Sequence, residues 1–147
     1  MATVESRIVV NAPIEQVYEL ARDIERFPEF MHDVVEVEIL ERTPDRQVSR
    51  WVGLIEQLNR TLKWTEEDFW NEDERACRFT MLEGDFTAYS GTWDFRADEA
   101  GTLVTLVVEY EYDVPLIGPL IKRLLHRLVQ QNCDSMLAAI KAEAEKT

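Results

Sequence analysis

The feature that most constrains the fold is one long amphipathic pattern near the end of the chain, from about residue 118 to residue 143. Its apolar residues recur every three or four positions, which is the period of an α-helix with one buried face. Roughly 25 residues at about 1.5 Å each make a helix some 37 Å long. Because seven neighbouring strands span about 30 Å, this helix can cross a whole seven-stranded sheet.

The segments before this helix predict seven strands and two short helices. Residues 3–10 form the first strand, and the helical segments "NAPIEQVYELARD" and "IERFPEFMHD" follow it. In the last strand segment apolar residues alternate with polar ones, as in an antiparallel sheet with one solvated face. The six later strand segments are 34–41, 47–58, 60–70, 76–82, 86–95 and 103–114.

This order of elements predicts an α+β fold in a single domain, residues 1–147. A curved seven-stranded antiparallel sheet wraps around the long C-terminal helix, and the two short helices follow strand one. One helix is narrower than seven strands, so the inward side chains either fill the remaining space or leave a cavity. A cavity would be the physical route to a function.

Composition and charge exclude several classes of function. The formal net charge is −13, with 29 acidic and 16 basic residues. Such a field repels phosphate backbones and anionic lipid headgroups, so we expect no nucleic-acid partner. No stretch approaches the roughly 20 apolar residues of a membrane span, so we expect no stable membrane insertion. The start "MATVESRIVV" lacks the pattern of a secretory signal, which predicts a cytoplasmic location.

The residues that bind metals or activate nucleophiles are sparse. Cys77 and Cys133 have no CxxC partner, and His32 and His126 are the only histidines. No zinc-ligand spacing, GxSxG, HExxH or phosphate-cradling glycine loop is present. We therefore expect no metal site and no cofactor.

Two stretches carry a resemblance to a known family. "VNAPIEQVYELARDIERFPEFMHDVVEVEIL" (10–40) and "SGTWDF" (90–95) resemble motifs of the START-like superfamily, the helix-grip fold. Within it, the chain is most similar to the bacterial polyketide cyclase/dehydrase branch and to the coenzyme-Q-binding-like branch. The element order matches over essentially the whole chain, and the motifs cover about a third of it.

This resemblance implies a deep cavity between sheet and long helix that holds an apolar or amphipathic molecule. Two departures separate the chain from particular branches. "ERTPDRQ" stands where the plant branch carries a glycine-rich loop. Met31, His32 and Asp33 stand where the coenzyme-Q branch often carries Trp-Cys.

The strand segment 60–70 supplies the candidates for catalysis. If Trp64 faces the cavity, the alternation places Arg60 and Glu66 on the same side. In one interpretation, Arg60 polarises a ligand carbonyl and Glu66 exchanges a proton. In the other, the two residues form an ordinary ion pair near a strand end or the cavity mouth.

Asn132 lies on the apolar stripe of the long helix, where an amide needs a partner. That partner is Tyr110, Glu66, a buried water or a ligand. A cavity wall needs a few placed polar groups among apolar and aromatic side chains. The residues we predict to bind a ligand are Trp64, Tyr89, Trp93, Tyr110, Leu128, Asn132 and Met136.

The leading hypothesis is a carrier or sensor that binds a hydrophobic small molecule, namely a lipid, a quinone or a polyketide-like compound. The alternative is an aromatase/cyclase-type enzyme that catalyses aldol cyclisation and dehydration of a poly-β-ketone. A third class, an interaction module that uses the acidic surface, also fits the charge. The pattern of residues does not set the oligomeric state.

Overall fold

The computed structural model describes residues 1–113 and 118–146. Its elements follow the predicted order of one strand, two short helices, six strands and a long helix. The strands are β1 (Ala2–Val10), β2 (Val34–Arg42), β3 (Arg46–Ile55), β4 (Arg60–Asn71), β5 (Ala76–Gly84), β6 (Ala88–Asp98) and β7 (Gly101–Glu111). The helices are α1 (Ile14–Arg22), α2 (Phe27–Phe30) and α3 (Pro119–Ala144), with short 3₁₀ turns at Ile24–Arg26 and Glu56–Leu58.

The seven strands form one sheet in the order β1-β7-β6-β5-β4-β3-β2. Every neighbouring pair is antiparallel, from β1 with β7 to β2 with β3. The predicted α+β helix-grip fold, with a seven-stranded antiparallel sheet and a long C-terminal helix, is therefore confirmed.

The helix α3 presents a continuous buried face to the sheet. The buried residues on this face are Leu125, Leu128, Val129, Cys133, Leu137, Ile140 and Ala144. Two residues that the sequence pattern places on or beside the apolar stripe, Ile121 and Ser135, are exposed. Ile121 lies in the first turn of the helix, whereas Ser135 lies beyond the flank of the buried arc. No helix among the described residues is long and apolar enough to cross a membrane.

The strand predicted over 47–58 is too long by one turn. β3 ends at Ile55, and the 3₁₀ turn follows. Asn59 then adopts a left-handed conformation with φ 48°, which asparagine tolerates better than most residues. The chain reverses there, so that Ile55 pairs with Arg60. At the other end of the sheet, residue 114 of the predicted segment 103–114 lies outside the described residues.

The predicted strand segments 76–82 and 86–95 leave Glu83-Gly84-Asp85 as a hairpin loop, but the observed turn lies further along the chain. β5 continues to Gly84, which pairs with Trp64 of β4. Gly84 has φ 155°, and a Cβ there would meet Trp64 Cβ at 2.5 Å. Only glycine fits this close approach, so the strand extends through a residue that the pattern assigns to the turn.

The long helix lies along one edge of the sheet. Its backbone approaches β1 far more than any other strand. Ser6 Oγ donates to Asp134 Oδ1 at 2.5 Å, and Gln130 Nε2 donates to the Glu5 carbonyl at 2.9 Å. Because α3 is held over β1, the concave face of β3 to β6 is not filled by helix backbone.

Candidate functional site

A cavity lies between the concave face of the sheet and α3. It has about 80 Å³ that the centre of a water-sized sphere can reach, and about 890 Å³ of atom-free space when its opening to solvent is included. A single water needs only roughly 10–15 Å³ by the first measure, so the interior has room for more than one water molecule. The protein is not packed solid between the helix and the sheet.

Aromatic side chains form a large part of the cavity wall. All four tryptophans of the chain line it. The aromatic lining residues are Phe27, Trp51, Trp64, Trp70, Phe79, Phe86, Tyr89 and Trp93. Trp51 and Trp64 stack with ring centroids 5.8 Å apart, and Tyr89 lies 5.2 Å from Trp64 and 4.8 Å from Phe86. These contacts make one continuous aromatic surface.

Gly53 makes room for this surface. It pairs with Leu62 on β4 and lines the cavity. A Cβ at this position would meet the Trp64 ring at 3.2 Å, which is a tight contact. The absence of a side chain therefore lets the Trp64 ring lie across β3.

Two carboxyl groups project from β4 into the aromatic cavity. Glu66 is 5% exposed and Asp68 is 2% exposed, and both line the cavity. Trp64 Nε1 donates to Glu66 Oε1 at 2.7 Å, and Gln47 Nε2 donates to Asp68 Oδ2 at 3.4 Å. Side chains two residues apart on a strand point to the same face, which explains why the two acids lie together.

Burial raises the pKa of both acids. The pKa of Glu66 lies well above its ordinary value, first because burial disfavours the charged form and then because of the Asp68 charge. Burial also raises the pKa of Asp68, while hydrogen bonds from Glu66 and Gln47 oppose that rise. Two like charges this close cannot both ionise easily. Both carboxyl groups therefore keep their protons to a higher pH than exposed acids do, and the effect is larger for Glu66.

No basic side chain of the described residues neutralises this pair. Within residues 1–113 and 118–146, no lysine, arginine or histidine lines the cavity. Arg60 is exposed at the first position of β4, directly after the Asn59 turn. The predicted inward pairing of Arg60 with Glu66 is thus wrong, because the turn places Arg60 at the strand end. Glu66 receives its hydrogen bond from the Trp64 indole instead.

Three weakly acidic side chains, those of Tyr89, Cys133 and Cys77, also line the cavity. Burial raises the pKa of Tyr89, and Cys133 and Glu66 raise it further. Burial raises the pKa of Cys133 to about 12, and it raises that of Cys77 further still. All three groups therefore stay protonated at neutral pH, and the cavity's negative charge comes from its carboxyl groups.

Asn132 faces the cavity from α3 and finds a partner that sequence reasoning did not consider. Its Nδ2 donates to the backbone carbonyl of Leu54 on β3 at 3.3 Å. It lines the cavity with Val129 and Met136. The amide therefore joins the helix to β3 across the cavity rim, while the residue still borders the interior.

The structure brings together most of the residues predicted to bind a ligand. Trp64, Tyr89, Trp93, Asn132 and Met136 all line the cavity, whereas Tyr110 and Leu128 are buried outside its lining. The hydroxyl of Tyr110 lies 3.3 Å from His126 Nδ1. Contact of any of these residues with a ligand stays a prediction.

Sequence reasoning missed several lining residues. Asp68 and Trp70 share the strand face of Trp64 and Glu66, so their alternation on β4 was a usable signal. The inward position of Cys77 and Cys133 carries no such signal, because a small buried thiol looks like any core residue. No group of three or more His, Cys, Asp or Glu among the described residues could hold a metal ion.

The comparisons with known proteins agree with this architecture. Residues 10–137 match the family described as polyketide cyclase / dehydrase and lipid transport. This match covers most of the chain, and the protein belongs to that family.

The similar proteins include a bacterial enzyme and two proteins of known structure. The chain is 28% identical over 149 residues to the actinorhodin polyketide synthase bifunctional cyclase/dehydratase of Streptomyces coelicolor; the match covers 97% of this chain and 45% of that protein. The crystal structure of TTHA0849 from Thermus thermophilus has a TM-score of 0.92 at 34% identity, with 97% of each chain covered. An aromatase/cyclase from a Streptomyces species shares the fold with a TM-score of 0.90 at 23% identity, covering 99% of this chain and 94% of that one.

Proposed function

We propose that this protein binds a hydrophobic small molecule in the cavity between the sheet and α3, as a carrier or sensor. The observation that carries the proposal is a cavity lined mainly by aromatic and other apolar side chains and bordered by a few polar groups. Such sites take their affinity from apolar burial, roughly 25 cal/mol per Å², and their orientation from a few polar contacts. Trp64, Tyr89, Trp93, Asn132 and Met136 are the residues we expect to contact the ligand. Membership of a family described by lipid transport supports the same function.

Native mass spectrometry of gently purified protein tests this function. We expect saturable uptake of at least one compound from a panel of lipids, quinones and polyketide-like aromatics. Met136→Phe places a rigid ring in the cavity wall from a half-buried position and should weaken uptake. Ser135→Phe is the matched control, because Ser135 is exposed on the same helix. Protein that stays empty across the panel, or equal uptake by both variants, would contradict the proposal.

A second candidate function is aldol cyclisation and dehydration of a poly-β-ketone. The specific observation in its favour is the buried Glu66–Asp68 pair, in which burial raises the pKa of both carboxyl groups and raises that of Glu66 more. Asp68 would remove a proton from a methylene carbon, and that carbon would then bond to a carbonyl carbon of the same chain. Glu66 would protonate the carbonyl oxygen, and loss of water would follow. Holding the two carbons together supplies much of the rate.

Arg60 takes no part in this version, because it lies outside the cavity. Incubation with a poly-β-ketone tests the reaction through the regiochemistry of the products. We expect Glu66→Gln to return the product profile to that of the protein-free reaction. A profile that matches the protein-free reaction already with the unmodified protein would rule out cyclisation and leave the binding function standing.

A further inference from the structure

The buried acids of the cavity contrast with the acids on the outer face of the same strand. Glu67 points outward and pairs with Arg46, whose Nε lies 2.6 Å from Glu67 Oε2. Glu66 and Asp68 point inward, and neither forms an ion pair with a basic side chain in the part of the chain that the structure describes. Asp33 also belongs to the lining, and its backbone carbonyl accepts from Leu54 N at 2.8 Å. The cavity is thus the one place on β4 where negative charge is buried without compensation from these residues.

We propose that the ligand is an amphipathic organic cation, an amine whose apolar body lies against the aromatic wall and whose ammonium group meets Glu66 and Asp68. This ligand class rests on the binding function proposed above and adds the sign of the ligand's charge. An ammonium group carries N–H donors and no acceptor, which complements two carboxyl groups.

The hydrogen bonds of the acid pair leave room for such a donor. Trp64 Nε1 satisfies one oxygen of Glu66, and Gln47 Nε2 satisfies Oδ2 of Asp68. Asp68 Oδ1 is buried and has no hydrogen-bond partner among the described residues. A buried charge without a partner is costly. A cationic ligand would supply that partner.

The aromatic rings beside the acids favour the same ligand. The Trp64 indole that donates to Glu66 stacks on Trp51 and contacts Tyr89. Ring faces attract cations through their quadrupole, and tryptophan does so most strongly. Carboxylates and aromatic faces together are the chemistry that recognises ammonium groups. The same arrangement repels fatty acids, phosphate esters and other anions, since like charges in a buried site are strongly unfavourable.

Three compounds with the same bicyclic aromatic body test the charge preference: 1-naphthylmethylamine, 1-naphthylmethanol and 1-naphthoate. At pH 7 they are a cation, a neutral alcohol and an anion. Isothermal titration calorimetry of the full chain should show that the amine binds about tenfold or more tighter than the alcohol, and that the carboxylate binds weakest. Equal affinity of amine and alcohol, or a preference for the carboxylate, would overturn the cation proposal and leave the binding function intact. Binding of none of the three would count against both.

Two variants test whether Glu66 and Asp68 cause the preference for the amine. The double variant E66Q/D68N keeps the shape of both side chains and removes their charge, so the amine should lose most of its advantage while the alcohol still binds. E83Q removes one charge at an exposed position of β5 and should leave all three affinities unchanged. Circular dichroism verifies that each variant is folded. An amine preference that survives in E66Q/D68N would show that the acid pair is not its source.

Discussion

Glu66 and Asp68 lie two residues apart on the inward face of β4, both buried, and each accepts a hydrogen bond from a neutral side chain, Trp64 or Gln47, rather than from a basic residue. The helix α3 is held over β1, so these acids border a cavity instead of packing against helix backbone. This relationship joins the fold to the proposed chemistry. It also has measurable consequences for stability.

Glu66→Gln should stabilise the protein increasingly as the pH rises. The folded-state pKa of Glu66 is raised well above 4.5, so the folded protein holds a proton that the unfolded chain loses. Stability of the unmodified protein therefore falls as pH rises from 4.5 to the raised pKa, by up to about 1.4 kcal/mol per pH unit for one proton. Glutamine mimics the protonated acid and has no such loss. Urea unfolding at a series of pH values measures the difference.

The control for this experiment is Glu83→Gln, which changes an exposed carboxyl group. Its difference from the unmodified protein should stay small at every pH. The free energy of unfolding of Glu66→Gln is compared with that of the unmodified protein at each pH. A difference that does not change with pH, or that grows as the pH falls, would show that the fold does not raise the pKa of Glu66.

Gly91→Ala should destabilise the protein severely. A Cβ at this position would lie 2.0 Å from the Val107 carbonyl oxygen and 2.6 Å from Cζ of Phe79. Both the β6–β7 pairing and the cavity wall would have to move, which we expect to cost about 3 kcal/mol or more. Gly118→Ala is the control, because a Cβ there meets no atom within 4 Å. Equal thermal unfolding midpoints for the two variants would contradict this packing.

Asn132→Ala should lower the free energy of unfolding by about 1 kcal/mol. The substitution removes the hydrogen bond from Asn132 to the Leu54 carbonyl, which joins α3 to β3 at the cavity rim. Gln131→Ala removes an exposed hydrogen bond to Gln57 from the neighbouring position and should change stability by less than about 0.5 kcal/mol. Urea unfolding compares the two. The account of Asn132 is wrong if both variants lose the same amount.

Both thiols should resist alkylation in the folded protein. Burial raises the pKa of Cys133 to about 12 and that of Cys77 further. Since the thiolate is the reactive form, iodoacetamide at pH 8 should label neither residue in buffer and both in urea, as read by intact mass. Rapid labelling of the folded protein would mean that the cavity opens far more often than the structure indicates.

The fold was predictable because its signals are periodic and local. The 3.6-residue period of α3 and the alternation of the strands each depend on which side chains face the core. Two of the errors in strand bounds arise at Asn59 and Gly84, where backbone conformation rather than hydrophobicity decides the path. A hydrophobic pattern does not predict such backbone conformations.

The site was predictable only in part. Alternation on β4 correctly indicates that Trp64 and Glu66 share a face. The same rule predicts that Arg60 points inward, but Arg60 is exposed because it directly follows the turn. The hydrogen bond of Asn132 to Leu54 joins residues 78 positions apart. A backbone carbonyl has no sequence signature, so such a partner emerges only from the tertiary structure. The position of α3 over β1, which creates the cavity, is equally long-range.

The proposal that the cavity binds a ligand is tested most directly with the four tryptophans, all of which line the cavity. Their indole N–H groups give separate signals in a ¹⁵N–¹H correlation spectrum, and 1-naphthylmethanol is a neutral probe for apolar binding. We expect titration with this probe to shift the four indole signals saturably, and by more than the signals of the backbone amides on the solvated face of the sheet. Indole signals that stay in place while surface amides shift, or a spectrum that does not change at all, would contradict a ligand-binding cavity.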